Sequence, residues 1–192
     1  MRLRHVTILA LAGAVLAVPA CADQISDEIS KAQAAYQEHR PDIALAALDA
    51  AAASLRQQRA DLLKSLLPPP PAHWTADPPE TTAIGASTLG GGTSASCVYH
   101  LGDQQVQVQF TTDSPMLQQM AELADTQLGQ SPDVEIVMVD GQRATYSVHD
   151  NGFMSLVGAV IVKVDGNAQV PKSTLRMFLD AVDFPTLQKL AH

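Results

Sequence analysis

An α+β fold is predicted: an N-terminal helical hairpin, a proline-rich linker, then an antiparallel sheet of about five strands with two helices packed on it. Three observations predict it. Residues 26–67 are dense in alanine, hold no glycine, and repeat their apolar residues at helical spacing. Pro68-Pro69-Pro70-Pro71 then stops any helix, because proline lacks the backbone donor and clashes with the preceding turn. From residue 93 the apolar period becomes two, hairpins joined by glycine-containing pairs dominate, and no helix crossover alternates regularly with the strands. Hairpin connections of that kind favour an antiparallel sheet over a parallel one. The chain divides accordingly into 1–22 (signal peptide), 23–67 (hairpin), 68–92 (linker) and 93–192 (sheet domain).

The first segment reads as an export signal. Arg2 and Arg4 make a short basic start, Val6 to Val18 is apolar, and Pro19-Ala20-Cys21-Ala22 supplies small residues for cleavage. The apolar run is too short to span a bilayer, which takes roughly twenty residues. Cleavage after Ala22 is the preferred processing. The alternative is a lipobox over Val18-Pro19-Ala20-Cys21, with Cys21 lipidated and the chain anchored by acyl groups. The expected location is the periplasm or the medium, or, with the lipid, the outer membrane. Cys97 then has no intrachain partner and is expected to be buried, on one face with Ala95 and Tyr99.

Charge narrows the function. Of 12 basic residues, Arg2 and Arg4 leave with the signal, so 10 remain against 20 acidic ones. Such a chain repels phosphate, and nucleic-acid binding is set aside.

Within the hairpin, Ser26 can cap a helix over 26–38, with Asp27 and Glu28 in its first turn. His39-Arg40-Pro41-Asp42 breaks it, and Pro41 suits the first turn of a second helix over 41–66. Ile43, Ala47, Leu48, Ala51, Leu55, Leu62 and Leu66 form its apolar stripe. Ala35-Tyr36, the break, then Ala46-Ala47-Leu48 and Ala51 resemble one tetratricopeptide repeat. Such arrays need about three copies, so the stretch is read as an ordinary hairpin. The prolines make an extended spacer, and Trp74 is expected to pack on the domain behind it.

In the sheet domain Ser94–His100 is a strand, Gly102-Asp103 a turn, and Gln105–Phe110 a half-buried strand with Val106, Val108 and Phe110 inward. Ser114 or Asp113 caps a helix opened by Pro115, with Met116, Met120, Leu123, Ala124 and Leu128 inside. Val134–Val139, Arg143–His149 and a single long strand Phe153–Val164 follow, separated by Asp140-Gly141 and Asn151-Gly152. Pro171–Val182 is the last helix, buried through Leu175, Phe178, Leu179 and Val182, with Phe184 and Leu187 extending the packing.

In topology, residues 74–190 resemble PsbP-like domains, which implies a binding or assembly module of exported proteins. At motif level, Leu66-Leu67-Pro68 with Trp74, Gly91-Gly92-Thr93-Ser94-Ala95-Ser96, Thr112-Asp113-Ser114-Pro115 and Val182-Asp183-Phe184 resemble a group of uncharacterised proteobacterial exported proteins. That resemblance implies export and fold and assigns no activity.

The chemistry in the sequence is thin. Ser94, Ser96, Ser114, His100, His149, Asp103 and Asp113 are the raw material of a hydrolytic triad, yet no serine sits in a G-x-S-x-G elbow. Met116, Met120, Met138, Met154, Met177, Cys97 and His100 are soft ligands suited to monovalent copper, although helical methionines are ordinarily core. No catalytic residue, metal ligand or cofactor is assigned; the residues singled out are the processing positions, Ala22 or alternatively Cys21. The expectation is a non-enzymatic binding or interaction module of the bacterial envelope, meeting another envelope protein through residues 23–67. A small-molecule or copper carrier is the alternative, and a hydrolase the third reading.

Overall fold

The computed structural model describes residues 20–84, 92–112 and 133–190. The chain divides into two compact units between Ala51 and Ala52. Each is described in turn.

The first unit holds α1 (Ala20–Gln37) and the opening of α2 (Pro41–Ser65). Their connection is a Schellman turn. His39 takes the left-handed conformation (φ 56°), and Arg40 N–H reaches back to the Ala35 carbonyl at 2.9 Å. The Arg40 carbonyl accepts the Ala44 N–H at 3.1 Å. Pro41 therefore stands at a first helical position, where its missing donor costs nothing. Helix α1 begins at Ala20, not at Ser26, so Ser26 lies within the helix instead of capping it. Both processing positions, Cys21 and Ala22, fall in its first turn.

The buried side chains of this unit are small: Ala32 and Ala35 of α1, Ala44, Ala47 and Ala51 of α2, and one larger residue, Ile25. Here the expected stripe of α2 needs correction. Ala47 and Ala51 are inside, but Ile43 and Leu48 are exposed. The inward line is set by the alanines, whose small side chains let helix backbones come close.

The second unit begins with the rest of α2, where Ala60 and Leu63 are buried while Leu55 and Leu62 are exposed. Its centre is an antiparallel sheet of eight strands, larger than the five expected. They are β1 (Thr75–Ala76), β2 (Glu80–Ile84), β3 (Gly92–Leu101), β4 (Gln104–Thr112), β5 (Val134–Val139), β6 (Gln142–Ser147), β7 (Gly152–Val157) and β8 (Val160–Gly166). The order is β1-β3-β4-β8-β7-β6-β5, and β2 shares the β3 edge with β1.

Two differences account for the extra strands. The segment read as a spacer supplies β1 and β2, which pair with His100–Tyr99 and Ser96–Gly92 of β3. Pro78 and Pro79 fall between them at the sheet edge, where proline forfeits no ladder bond. The single long strand expected over Phe153–Val164 is two strands, β7 and β8, folded back so that Val157 faces Val160. Gly158, at φ 58°, begins the two-residue turn, as a type II′ hairpin requires. The Asp140-Gly141 turn does join β5 to β6, with both residues at positive φ.

Two helices follow: α3 (Lys172–Asp180) and α4 (Phe184–Leu190). Leu175, Phe178, Leu179, Val182, Phe184 and Leu187 are buried, as the periodicity predicts. They join Cys97, Tyr99, Val106, Val108, Phe110, Val162 and Val164 of the sheet's inner face in one core. Gly166 lets this layer close on the end of β8: a Cβ there would stand 2.8 Å from Leu175 Cδ2 and 2.9 Å from Val170 Cβ. Trp74 is buried edge-on to Phe178, with ring centroids 5.0 Å apart, so the proline-rich segment is packed on the domain. The helix expected to open at Pro115 lies outside the described residues.

Candidate functional site

The described residues offered for hydrolysis do not converge. Ser94, Ser96 and His100 alternate with the buried residues of β3, on its outer face. His100 stands four positions along the strand from Ser96, about 13 Å of extended chain. His100 Nε2 does meet a carboxylate, Asp77 Oδ2 at 2.9 Å, but the pair is largely exposed and bridges β3 to the β1–β2 connection. Sequence reasoning missed Asp77, because a residue beside Pro78 in a spacer carried no signal of pairing. His149 and Asp103 are exposed in separate turns, after β6 and β3. Ser114 and Asp113 lie outside the described residues.

The soft-ligand set is dispersed as well. Met138 and Met177 are exposed on β5 and α3, and Met154 lies on β7. Cys97 is buried on the inner face of β3, with Ala95 and Tyr99 beside it as predicted. Met116 and Met120 lie outside the described residues. Among the described residues no group of three or more His, Cys, Asp or Glu side chains is placed to hold a metal ion.

Cys97 is set up to be inert. Burial pushes its thiol above the ordinary value; a hydrogen bond with Tyr99 lowers it partway, and Asp77 raises it again. Its Sγ donates to the Asp77 carbonyl at 3.4 Å. Burial also raises Tyr99, whose hydroxyl donates to the Pro68 carbonyl at 2.6 Å. Nucleophilic cysteines have lowered pKa values and some exposure, and Cys97 has neither.

A shallow pocket of about 180 Å³ lies on the outer face of the sheet, over β6, β7 and β8. Gly152 makes room for the Asp165 carboxylate at its rim, because a Cβ there would clash with Asp165 Oδ1. Met154 and Phe153 line it, and Ser147, Asp150, Lys163 and Asp165 supply its polar atoms. Those polar groups are already paired, Lys163 with Asp165 at 3.1 Å and Ser147 with Asp150 at 2.8 Å.

The hairpin helices carry the other conspicuous surface. Ile29 and Tyr36 of α1, and Ile43, Leu45, Leu48, Leu55 and Leu62 of α2, are all exposed, Tyr36 to 75% and Leu45 to 61%. Leu48, Leu55 and Leu62 are seven residues apart, two turns of helix each time. Scattered apolar residues on a surface are ordinary, but an aligned row is a candidate contact surface. Among the described residues no helix is long and apolar enough to cross a membrane. No family model, curated protein or solved structure matches the chain.

Proposed function

We propose that this chain is an exported, non-enzymatic interaction module of a bacterial cell envelope, and that it meets its partner through the hairpin helices. The carrying observation is the set of exposed apolar side chains on α1 and α2, beside buried positions that are mostly alanine. The export signal supports the periplasm or the medium as its place, with a lipid on Cys21 as the alternative mode of attachment. The topological resemblance to PsbP-like domains and the motifs shared with proteobacterial exported proteins fit such a module.

Site-specific photo-crosslinking in the exporting cell tests it. A crosslinker at Leu45 or Leu48 is expected to give adducts of discrete mass, and one at Gln107, exposed on the outer face of β4, to give none. Equal yields at all three positions would sink the reading. Intact mass of the envelope-purified chain reads the processing: a start at Asp23 means soluble release, and an acylated Cys21 means an anchor.

The pocket at Gly152 favours a second reading, a small-molecule carrier. A carrier is stabilised by its ligand in proportion to occupancy, so a melting screen against envelope metabolites distinguishes it.

A further inference from the structure

We propose that the edge of β5 facing away from β6 is a self-association site, pairing antiparallel with β5 of a second copy and joining two sheets into one. Strand β5 ends the sheet and lies wholly within the second unit. Its backbone groups alternate in direction. Val139 and Gln142 close the two-residue turn, and the Asp133 carbonyl accepts the Val148 N–H at 3.0 Å, so the odd-numbered residues bond to β6. The N–H and C=O groups of Val134, Ile136 and Met138 therefore point away from β6. Among the described residues they meet one donor, the Arg176 guanidinium of α3, which reaches the Met138 carbonyl at 2.9 Å. An edge of this kind is a template for another strand. The same residues set apolar side chains on the outer face, with Ile136 48% and Met138 58% exposed.

The strand is complementary to itself in one register. With Ile136 opposite Ile136 of the second copy, Val134 stands opposite its Met138, and a two-fold axis repeats that pair. Each such pair exchanges both backbone bonds, so every N–H of the edge faces a carbonyl. On the outer face apolar side chains then meet apolar ones. A shift in either direction loses a pair: Val134 comes opposite Asp140 in the turn, or Met138 runs past the start of β5. Arg176 does not bar the pairing, because a carbonyl has two lone pairs and can also take the Val134 N–H of the second copy. Charge agrees with this register. Asp133, which is exposed, stands opposite Val139 of the second copy, beside the Met138 that its Arg176 bonds. Arg176 already holds Asp180 at 2.7 Å, yet a guanidinium has five donors and keeps others for that carboxylate. The two-fold axis makes the contact twice.

Sedimentation equilibrium of the purified chain, together with amide hydrogen exchange, tests this. A concentration-dependent dimer is expected. As it forms, the Ile136 amide is expected to exchange about tenfold more slowly or better, while the Val137 amide, already in the β6 ladder, stays as it was. Ile136→Lys is expected to give a monomer with unchanged circular dichroism, because the site is half exposed and the substituted side chains would set like charges directly opposite. Ile136→Cys is expected to give a disulfide-linked dimer on oxidation, since a hydrogen-bonded pair sets its Cα atoms about 5.5 Å apart, within disulfide reach. Met138→Cys, opposite Val134, is expected to give none. A monomer at every soluble concentration, a dimer whose Ile136 amide exchanges as fast as in the monomer, or a dimer indifferent to Ile136→Lys overturns the proposal. So does a disulfide yield at Met138→Cys equal to that at Ile136→Cys. The amide readout needs no substitution, so it decides the matter even if a variant fails to fold. It also separates this edge from the hairpin, since a contact made by the hairpin alone leaves the Ile136 amide unprotected.

Discussion

Replacing Phe178 by leucine asks how firmly the proline-rich segment is docked on the sheet domain. Phe178 is fully buried on α3 and is the ring around which the segment closes. Trp74 meets it edge-on at 5.0 Å and 85°, and Tyr99 at 4.9 Å and 50°. Tyr99 in turn holds the Pro68 carbonyl. Leucine keeps the site apolar but leaves a small cavity, which costs about 1–2 kcal/mol at a well-packed position. Each aromatic pair contributes about 0.5–1.5 kcal/mol beyond its burial. The expected destabilisation is therefore about 2–5 kcal/mol, a large share of a stability of about 5–15 kcal/mol. Urea unfolding reads it directly, and the chain offers a clean local probe because Trp74 is its only tryptophan. In the parent chain, Trp74 emission and far-ultraviolet circular dichroism should report one transition. In the variant the midpoint should fall, and Trp74 should become more accessible to acrylamide in the native state. If the midpoint moves by less than about 1 kcal/mol equivalent, and Trp74 is quenched as readily in the parent as in the variant, then the segment is not docked as described.

Tyr99→Phe removes the donor to the Pro68 carbonyl and leaves that acceptor buried without its partner. The expected cost is about 1–3 kcal/mol by the same urea titration; a neutral result would mean that water replaces the hydroxyl. Asp183 caps α4, its carboxylate accepting the Thr186 N–H at 3.0 Å and the Thr186 hydroxyl at 2.7 Å. Those bonds lower its pKa below the ordinary aspartate value, so the cap stabilises fully at neutral pH and is lost as acid protonates it. The melting-temperature advantage of the parent over Asp183→Asn should therefore shrink as pH falls below about 4. A pH-independent difference would show that the charge plays no part.

How much of this was legible in the sequence depends on where the signal was local. The Asp140-Gly141 turn was readable because both residues suit positive φ and apolar alternation flanks them on either side. The last helix was readable because Leu175, Phe178 and Leu179 lie on one face at helical spacing. The β7–β8 hairpin was not. Gly158-Ala159 sits inside the apolar run from Leu156 to Val162 with no polar residue to mark a turn, because the cross-strand pair Leu156 and Ile161 beside it is apolar as well. Strands β1 and β2 were hidden by their prolines, which argue against a central strand but not against an edge. Of the candidate site residues, the burial of Cys97 followed from its place between Ala95 and Tyr99. The His100–Asp77 pair did not follow from anything local, because it depends on β1 pairing with the end of β3.

The α2 stripe was misjudged for a reason that bears on function. Counting apolar residues treats alanine and leucine alike, yet in the first unit α2 buries Ala44, Ala47 and Ala51 and leaves Leu45 and Leu48 exposed. Burying a leucine side chain is worth about 1.5–3 kcal/mol, and an alanine methyl much less. A hairpin folded for its own stability would bury the leucines. This one buries the residues that allow close backbone approach and leaves in water the ones with most to gain from leaving it. Among the described residues that stabilisation is unrealised, and it is spread along a line that another helix fits better than a small ligand would. A carrier needs a concave site, and α2 presents a ridge. The exposure of Leu45 and Leu48 beside buried alanines is thus the observation on which the proposed interaction role rests.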